Sequence, residues 1–250
     1  MADAQNRWGV QAQTRTGAAA VDEGLRAYML RVYNYMGLGI AFTAVVTLLM
    51  VNNPEVMRAV ATGPMKWVLF FGVLGLGMFA HKVIYSGNQL MAHGAYWLYC
   101  AIWGALMSPM IYVFFARNHG DLVFRAFAIT AVTFGAVSVF GYMTKKNLSA
   151  FATFFAIASI GLIVAMLVNA FFVQSTGMSL VVSCAVVLLF AAITAWETQE
   201  IKQMYIEGSH QGAAEAYFTQ SAIFGAFLLY GSFVTLFTHI LNILGIMRSD

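Results

Sequence analysis

Charge is what this sequence has least of. Asp, Glu, Lys and Arg make up 9% of its 250 residues, 61% are hydrophobic, and the mean hydropathy is +0.76. A soluble domain carries about a quarter charged residues, so this chain has too little charge to clothe a water-facing surface. The composition excludes a soluble globular domain and indicates a membrane protein. The net charge of +3 is scattered, and no basic stripe with interleaved aromatics marks a nucleic-acid partner. Only two cysteines occur, Cys100 and Cys184, each within an apolar run. They form no disulfide framework or zinc spacing and read as small packing residues. The five histidines, His81, His93, His119, His210 and His239, show no HExxH or comparable metal spacing. Ser232 follows Gly231 in "YGSF", but the GxSxG nucleophile elbow is absent and no general base pairs with it. Residues 220–245 hold no lysine, which excludes a retinal Schiff base in a last span. The expectation is a protein without enzymatic chemistry and without a cofactor, a bound calcium ion excepted.

What is abundant is uninterrupted apolar sequence. A membrane-crossing helix needs about 20 mostly apolar residues, and seven segments qualify: 32–51, 67–85, 94–116, 122–143, 150–173, 178–198 and 220–245. The fold class is therefore all-α, a polytopic seven-transmembrane-helix bundle. Residues 1–31 are polar, with Arg7, Arg15, Arg26 and Arg31, and read as a disordered cytoplasmic tail ahead of a transmembrane domain at 32–246. With the N-terminus inside, the cytoplasmic segments hold those four arginines with Lys82, Lys145, Lys146 and Lys202. The outer segments hold Arg58, Lys66, Arg117, Arg125 and Arg248. The positive-inside bias favours N-in, C-out. Gly72, Gly75 and Gly77 in "FGVLGLGMF" read as close helix packing, since no strand or acidic partner makes them a dinucleotide fingerprint. Pro109 is expected to bend the third span by removing a backbone hydrogen bond. Asn147 or Ser149 in "TKKNLSAF" is expected to cap the fifth. The longest connection is placed at 199–219.

Of the ten acids, only Glu197 and Glu200 abut an apolar run with no loop between. The run 178–196 carries no charge, so its length permits Glu197 to be a plain interfacial residue. A charge inside the bilayer costs about 2.5–3.5 kcal/mol on insertion scales and generally serves a function. Both readings stay open on these grounds. In the last span Ser232, Thr235, His239 and Asn242 share one helix face by their three- and four-residue spacing. That face either lines a cavity or bonds across a helix pair. His81 and Lys82 end the second span, where a lysine ordinarily snorkels to the interface, and Asn169 reads as packing polarity in the fifth.

Three stretches carry a resemblance. "FRAFAITAVTFGAVSVFGYMTKKNLSAFATFFAIASIGLIVAMLVNAFF" (124–172), "AWETQEIKQMY" (195–205) and "LLYGSFVTLFTHILNILG" (228–245) resemble signatures of the Bax inhibitor-1 family, in its bacterial branch. The similarity extends over roughly 25–246 in one register. It implies a compact seven-helix bundle in which an aspartate on span six and another on span seven face each other near the cytoplasmic side and share a proton or a hydrogen bond. The pair forms a pH-sensitive latch and cation site on a calcium leak path, and an arginine ending span two holds the closed state. In this sequence the span-six aspartate falls on Glu197, the span-two arginine on Lys82 and the span-seven aspartate on Ser232. The last is a departure from the usual "LYLDFINLF". Two close carboxylates cannot both ionise freely, so their titrations couple strongly. A carboxylate beside a serine lacks that coupling. Calcium takes six to eight oxygens, commonly from several carboxylates, so Glu197 with Ser232 and Thr235 would be a weak calcium site.

The expected function is a pH-sensitive calcium or cation leak channel of the bacterial inner (cytoplasmic) membrane. Glu197 would be its ion- and proton-responsive group, Lys82 its countercharge and Ser232 a neutral hydrogen-bond partner, with Thr235, His239 and Asn242 as polar lining. The alternative is a non-transporting interaction protein that modulates a membrane protease or stress survival through its tail and the 199–219 segment. The partners expected are the lipid bilayer, calcium or other cations, and such a membrane protein.

Overall fold

The computed structural model describes the backbone of residues 2–249 and the side chains of 22–248 other than Pro54 and Ala61. Its elements are α1 (Ala2–Val51), α2 (Pro54–Thr62), α3 (Met65–Ile84), α4 (Gln89–Ala116), α5 (Gly120–Met143), a 3₁₀ turn (Ser149–Phe151), α6 (Ala152–Val168) closed by a π turn (Asn169–Val173), α7 (Thr176–His210) and α8 (Glu215–Ser249). Seven helical stretches are long and apolar enough to cross a membrane: Asp22–Val51, Met65–Ile84, Gln89–Ala116, Gly120–Met143, Ser149–Val173, Thr176–His210 and Glu215–Arg248. The expected seven-helix bundle is what forms.

The helices arrange around α8, which packs on α1, α3, α4, α5 and α7. In its most apolar window 67% of residues are buried, against 6% in the span containing α6, so α8 is the axis and α6 the periphery. Large side chains such as Leu229, Tyr230, Leu236 and Leu241 are fully buried on α8. Bulky residues on the outer helices, Phe124, Val132, Ile160 and Leu188 among them, face outward. An apolar exterior is what a bilayer, rather than water, requires of a bundle.

Several local expectations change. Residues 1–21 of the expected disordered tail lie outside the described side chains. Residues 22–31 are helical, and Leu25, Tyr28 and Met29 are buried against the bundle. The stretch 199–219 is not one loop: α7 continues to His210, and only residues 211–214 turn before α8 begins. The short α2, started by Pro54 at its first position, was illegible as a separate element because nine residues are too few for a span. Gly75 and Gly77 have open space where a side chain would stand, and Gly72 would only touch Ile102. Close helix approach occurs instead at Gly141, where an added Cβ would lie 2.2 Å from the Ala195 carbonyl on α7. Gly104 likewise lets α4 come against the Thr43 carbonyl of α1. Cys100 is buried, but Cys184 is exposed and both are free thiols.

Pro109 lies inside a continuous α4. A proline cannot donate to the carbonyl four residues back, which here is that of Ala105. Ser108 Oγ donates to that carbonyl at 2.7 Å, so the neighbouring hydroxyl replaces the missing amide. Asn147 Oδ1 accepts from the Ser149 amide at 3.0 Å and so opens the 3₁₀ turn ahead of α6. Asn169 ends that span: its Oδ1 accepts from the Ser175 amide at 3.1 Å, and Gln174 takes a left-handed conformation at φ 50°.

Candidate functional site

Glu197 is buried on α7, and Ser232 is buried on the facing stretch of α8. The Ser232 hydroxyl donates to Glu197 Oε2 at 2.7 Å. Glu197 is thus no interfacial residue past the end of a span; it lies inside a helix that runs thirteen residues further. Its carboxyl group is the only acidic one among the buried polar side chains described. Its other oxygen accepts no hydrogen bond among the described residues, and none of the ion pairs involves it.

The residues after Glu197 explain why it is held where it is. Thr198 Oγ1 lies 2.9 Å from Ser138 Oγ on α5, which lies 2.5 Å from Tyr33 Oη on α1. Gln199 grips the turn between α5 and α6: its Oε1 accepts from the Leu148 amide at 2.8 Å, and its Nε2 donates to the Lys146 carbonyl at 2.8 Å and that of Thr144 at 3.4 Å. Glu200 takes a hydrogen bond from Ser149 in the same turn. Lys202 donates to the Tyr142 carbonyl at 3.1 Å and stands 4.9 Å from that ring's centroid. The polar residues of "ETQEIK" therefore tie α7 to α8, to α5 and to the turn joining α5 to α6, and the combined effect fixes the rotation and depth of Glu197. The sequence signal was the density of polar residues at a span end. It did not say what they bind, because their partners lie 35 to 60 positions away.

Glu197 and Ser232 line a cavity of about 540 Å³ bounded by α3, α4, α6, α7 and α8. Thr235, Thr238 and His239 of α8 line it too. Thr235 and Thr238 return their hydroxyls to the carbonyls one turn back, of Gly231 and Val234. The last-span polar face divides between the two roles left open. His239 Nδ1 sits 3.1 Å from Ser183 Oγ, and Asn242 Nδ2 donates to Ser179 and Ser183 at 3.1 and 2.9 Å. Asn242 is a bond across the α7–α8 pair, Thr235 is lining, and His239 is both.

Lys82 does not join them. It is exposed in the last turn of α3, does not line the cavity, and makes no ion pair with Glu197 among the described residues. The α3 end meets α8 through His81, whose ring lies 5.4 Å from that of Phe224, which turns the next residue outward. The countercharge reading of Lys82 is accordingly corrected to that of an exposed terminal lysine. No group of three or more His, Cys, Asp or Glu residues able to hold a metal occurs among the described residues.

The chain is similar to known proteins along almost its whole length. The inner membrane protein YbhL of Escherichia coli (strain K12) is 31% identical over 226 residues, which is 90% of this chain and 94% of that one. The protein RP147 of Rickettsia prowazekii is 32% identical over 227 residues, covering 91% and 92%. A Deinococcus radiodurans protein is 36% identical over 221 residues, covering 88% and 90%. Residues 25–249 match the family described as "Inhibitor of apoptosis-promoting Bax1", from the buried Leu25 within α1 to the end of α8, and the chain belongs to this Bax inhibitor-1 family of membrane proteins.

Proposed function

We propose that this protein is a cation leak pathway of the bacterial inner membrane, with calcium as its ion and Glu197 as its proton- and cation-responsive group. The observation that carries the reading is a carboxyl group buried among membrane-spanning helices and lining a cavity, with one oxygen held by Ser232. Ionisable residues at such depth are costly and characteristically face a cavity or an ion path. Ser232 places a further oxygen beside it at 2.7 Å, and Thr235 lines the same cavity. One carboxylate with hydroxyl and carbonyl oxygens falls short of the several carboxylates of a storage site. That suits weak, transient binding, as a leak requires. The printed description of YbhL as an inner membrane protein supports the compartment, and the distribution of lysine and arginine supports N-in, C-out.

The test is calcium flux into proteoliposomes holding the purified protein. Flux above empty vesicles, dependent on pH and flattened by Glu197→Gln, is expected. The second reading, a non-conducting partner of a membrane protease, is favoured by one feature: serine stands where the resemblance implies a second acid. Absence of flux, with capture of a membrane protein that is lost on trimming residues 1–21, would replace the first reading by the second.

A further inference from the structure

The chamber beside Glu197 has properties that a cation path does not use. Its walls are almost entirely apolar, with Leu162 and Met166 from α6 facing Val73 from α3. Leu74, Met78 and Ile163 line it and are also exposed on the outside of the bundle. It therefore opens sideways between α3 and α6, where lipid surrounds the helices. Its volume of about 540 Å³ lies within the range of about 300–1,000 Å³ usual for small-molecule sites. The Glu197 carboxyl group, with one oxygen accepting no hydrogen bond among the described residues, lines it together with Tyr99 and Trp103. A buried carboxylate without a countercharge gains from any cation that enters with it. Aromatic faces attract ammonium groups. An apolar chamber gains from an alkyl chain.

We infer that this cavity is a binding site for a protonated lipophilic amine that enters from the bilayer between α3 and α6. Its ammonium group donates to Glu197 beside the Tyr99 and Trp103 rings, and its chain lies along the α3 and α6 walls. A neutral lipid chain would use the walls and leave the carboxyl group unpaired. A fatty acid would set two carboxyl groups together. The inference rests on the same Glu197 geometry as the leak reading, and does not require that ions pass.

The test uses the full-length protein in nanodiscs of neutral lipid, titrated calorimetrically with dodecylamine, dodecanol or dodecanoate, with empty nanodiscs subtracted. Saturable binding of the amine at least tenfold tighter than of the alcohol is expected, weakened at least tenfold by Glu197→Gln. Gly77 lines the cavity and has open space at its Cβ position, so Gly77→Leu adds bulk at the chamber wall and is expected to weaken binding at least tenfold. Gly75→Leu enters open space away from the cavity and is expected to change nothing. Equal affinity for amine and alcohol, or amine binding indifferent to Glu197→Gln, would overturn the proposal in favour of a lipid-chain groove or simple partition. Amine binding without calcium flux would remove only the leak reading, and flux without amine binding would remove only this one.

Discussion

At the scale of single residues, the Glu197–Ser232 contact defines the site. A hydrogen bond from a neutral hydroxyl to a carboxyl group is worth about 0.5–1.5 kcal/mol net, and leaving its buried partner unsatisfied costs about 1–3 kcal/mol. Ser232→Ala is therefore expected to lower thermal stability in detergent by that order while leaving the helices in place, as circular dichroism would show. Ser232→Asp puts a second carboxyl group where the hydroxyl stands 2.7 Å from Glu197 Oε2. Two acids that close titrate as a coupled pair. The substitution is expected to steepen the pH dependence of calcium flux. An unchanged profile would mean that the two side chains part when the protein conducts.

At the scale of elements, α7 is the helix that other parts of the structure hold. Gln199 satisfies two carbonyls and one amide of the turn joining α5 to α6. Gln199→Leu leaves the Leu148 amide and the Lys146 carbonyl without that partner. It is expected to destabilise the protein by about 1–3 kcal/mol, with faster amide exchange confined to residues 144–151. Gly141 gives a sharper test of packing, because its Cβ would fall 2.2 Å from the Ala195 carbonyl. Gly141→Ala should force α5 from α7 and lower the melting temperature markedly. Gly75→Ala, with open space around it, should be neutral or gain up to about 1 kcal/mol from helix propensity.

These contrasts also mark what was legible beforehand. Every span could be read from its apolar run, because length and the lack of charge are local properties. Which glycines touch a neighbour could not, since "FGVLGLGMF" and the single Gly141 differ only in what faces them. For the same reason α7 ran past its apparent end. Gln199, Glu200 and Lys202 read as the wet residues of a loop, yet they are matched to backbone groups and side chains near positions 142–149. Glu197 itself could be selected through resemblance, but its burial and the exposure of Lys82 required the packing of α3, α7 and α8.

At the scale of the whole molecule, an apolar shell surrounds a buried α8, and the ends are tied by exposed ion pairs. Arg31 meets Glu215 at 2.8 Å, and Arg248 meets Asp121 at 2.8 Å. Exposed pairs of this kind contribute about 0–1 kcal/mol each, so burial around α8 rather than charge holds the bundle together. The proposed N-in, C-out orientation predicts that Lys146→Cys, in a cysteine-free background, is labelled by a membrane-impermeant maleimide only after the inner face is opened. Arg117→Cys should be labelled from outside in intact cells. The central claim is that a single membrane-buried carboxyl group governs ion passage. Calcium flux in proteoliposomes across a pH series, for the native protein and Glu197→Gln side by side, tests it most directly. A pH-dependent flux that Glu197→Gln flattens is the predicted result, and flux no greater than in empty vesicles, or one that Glu197→Gln leaves unchanged, would contradict it.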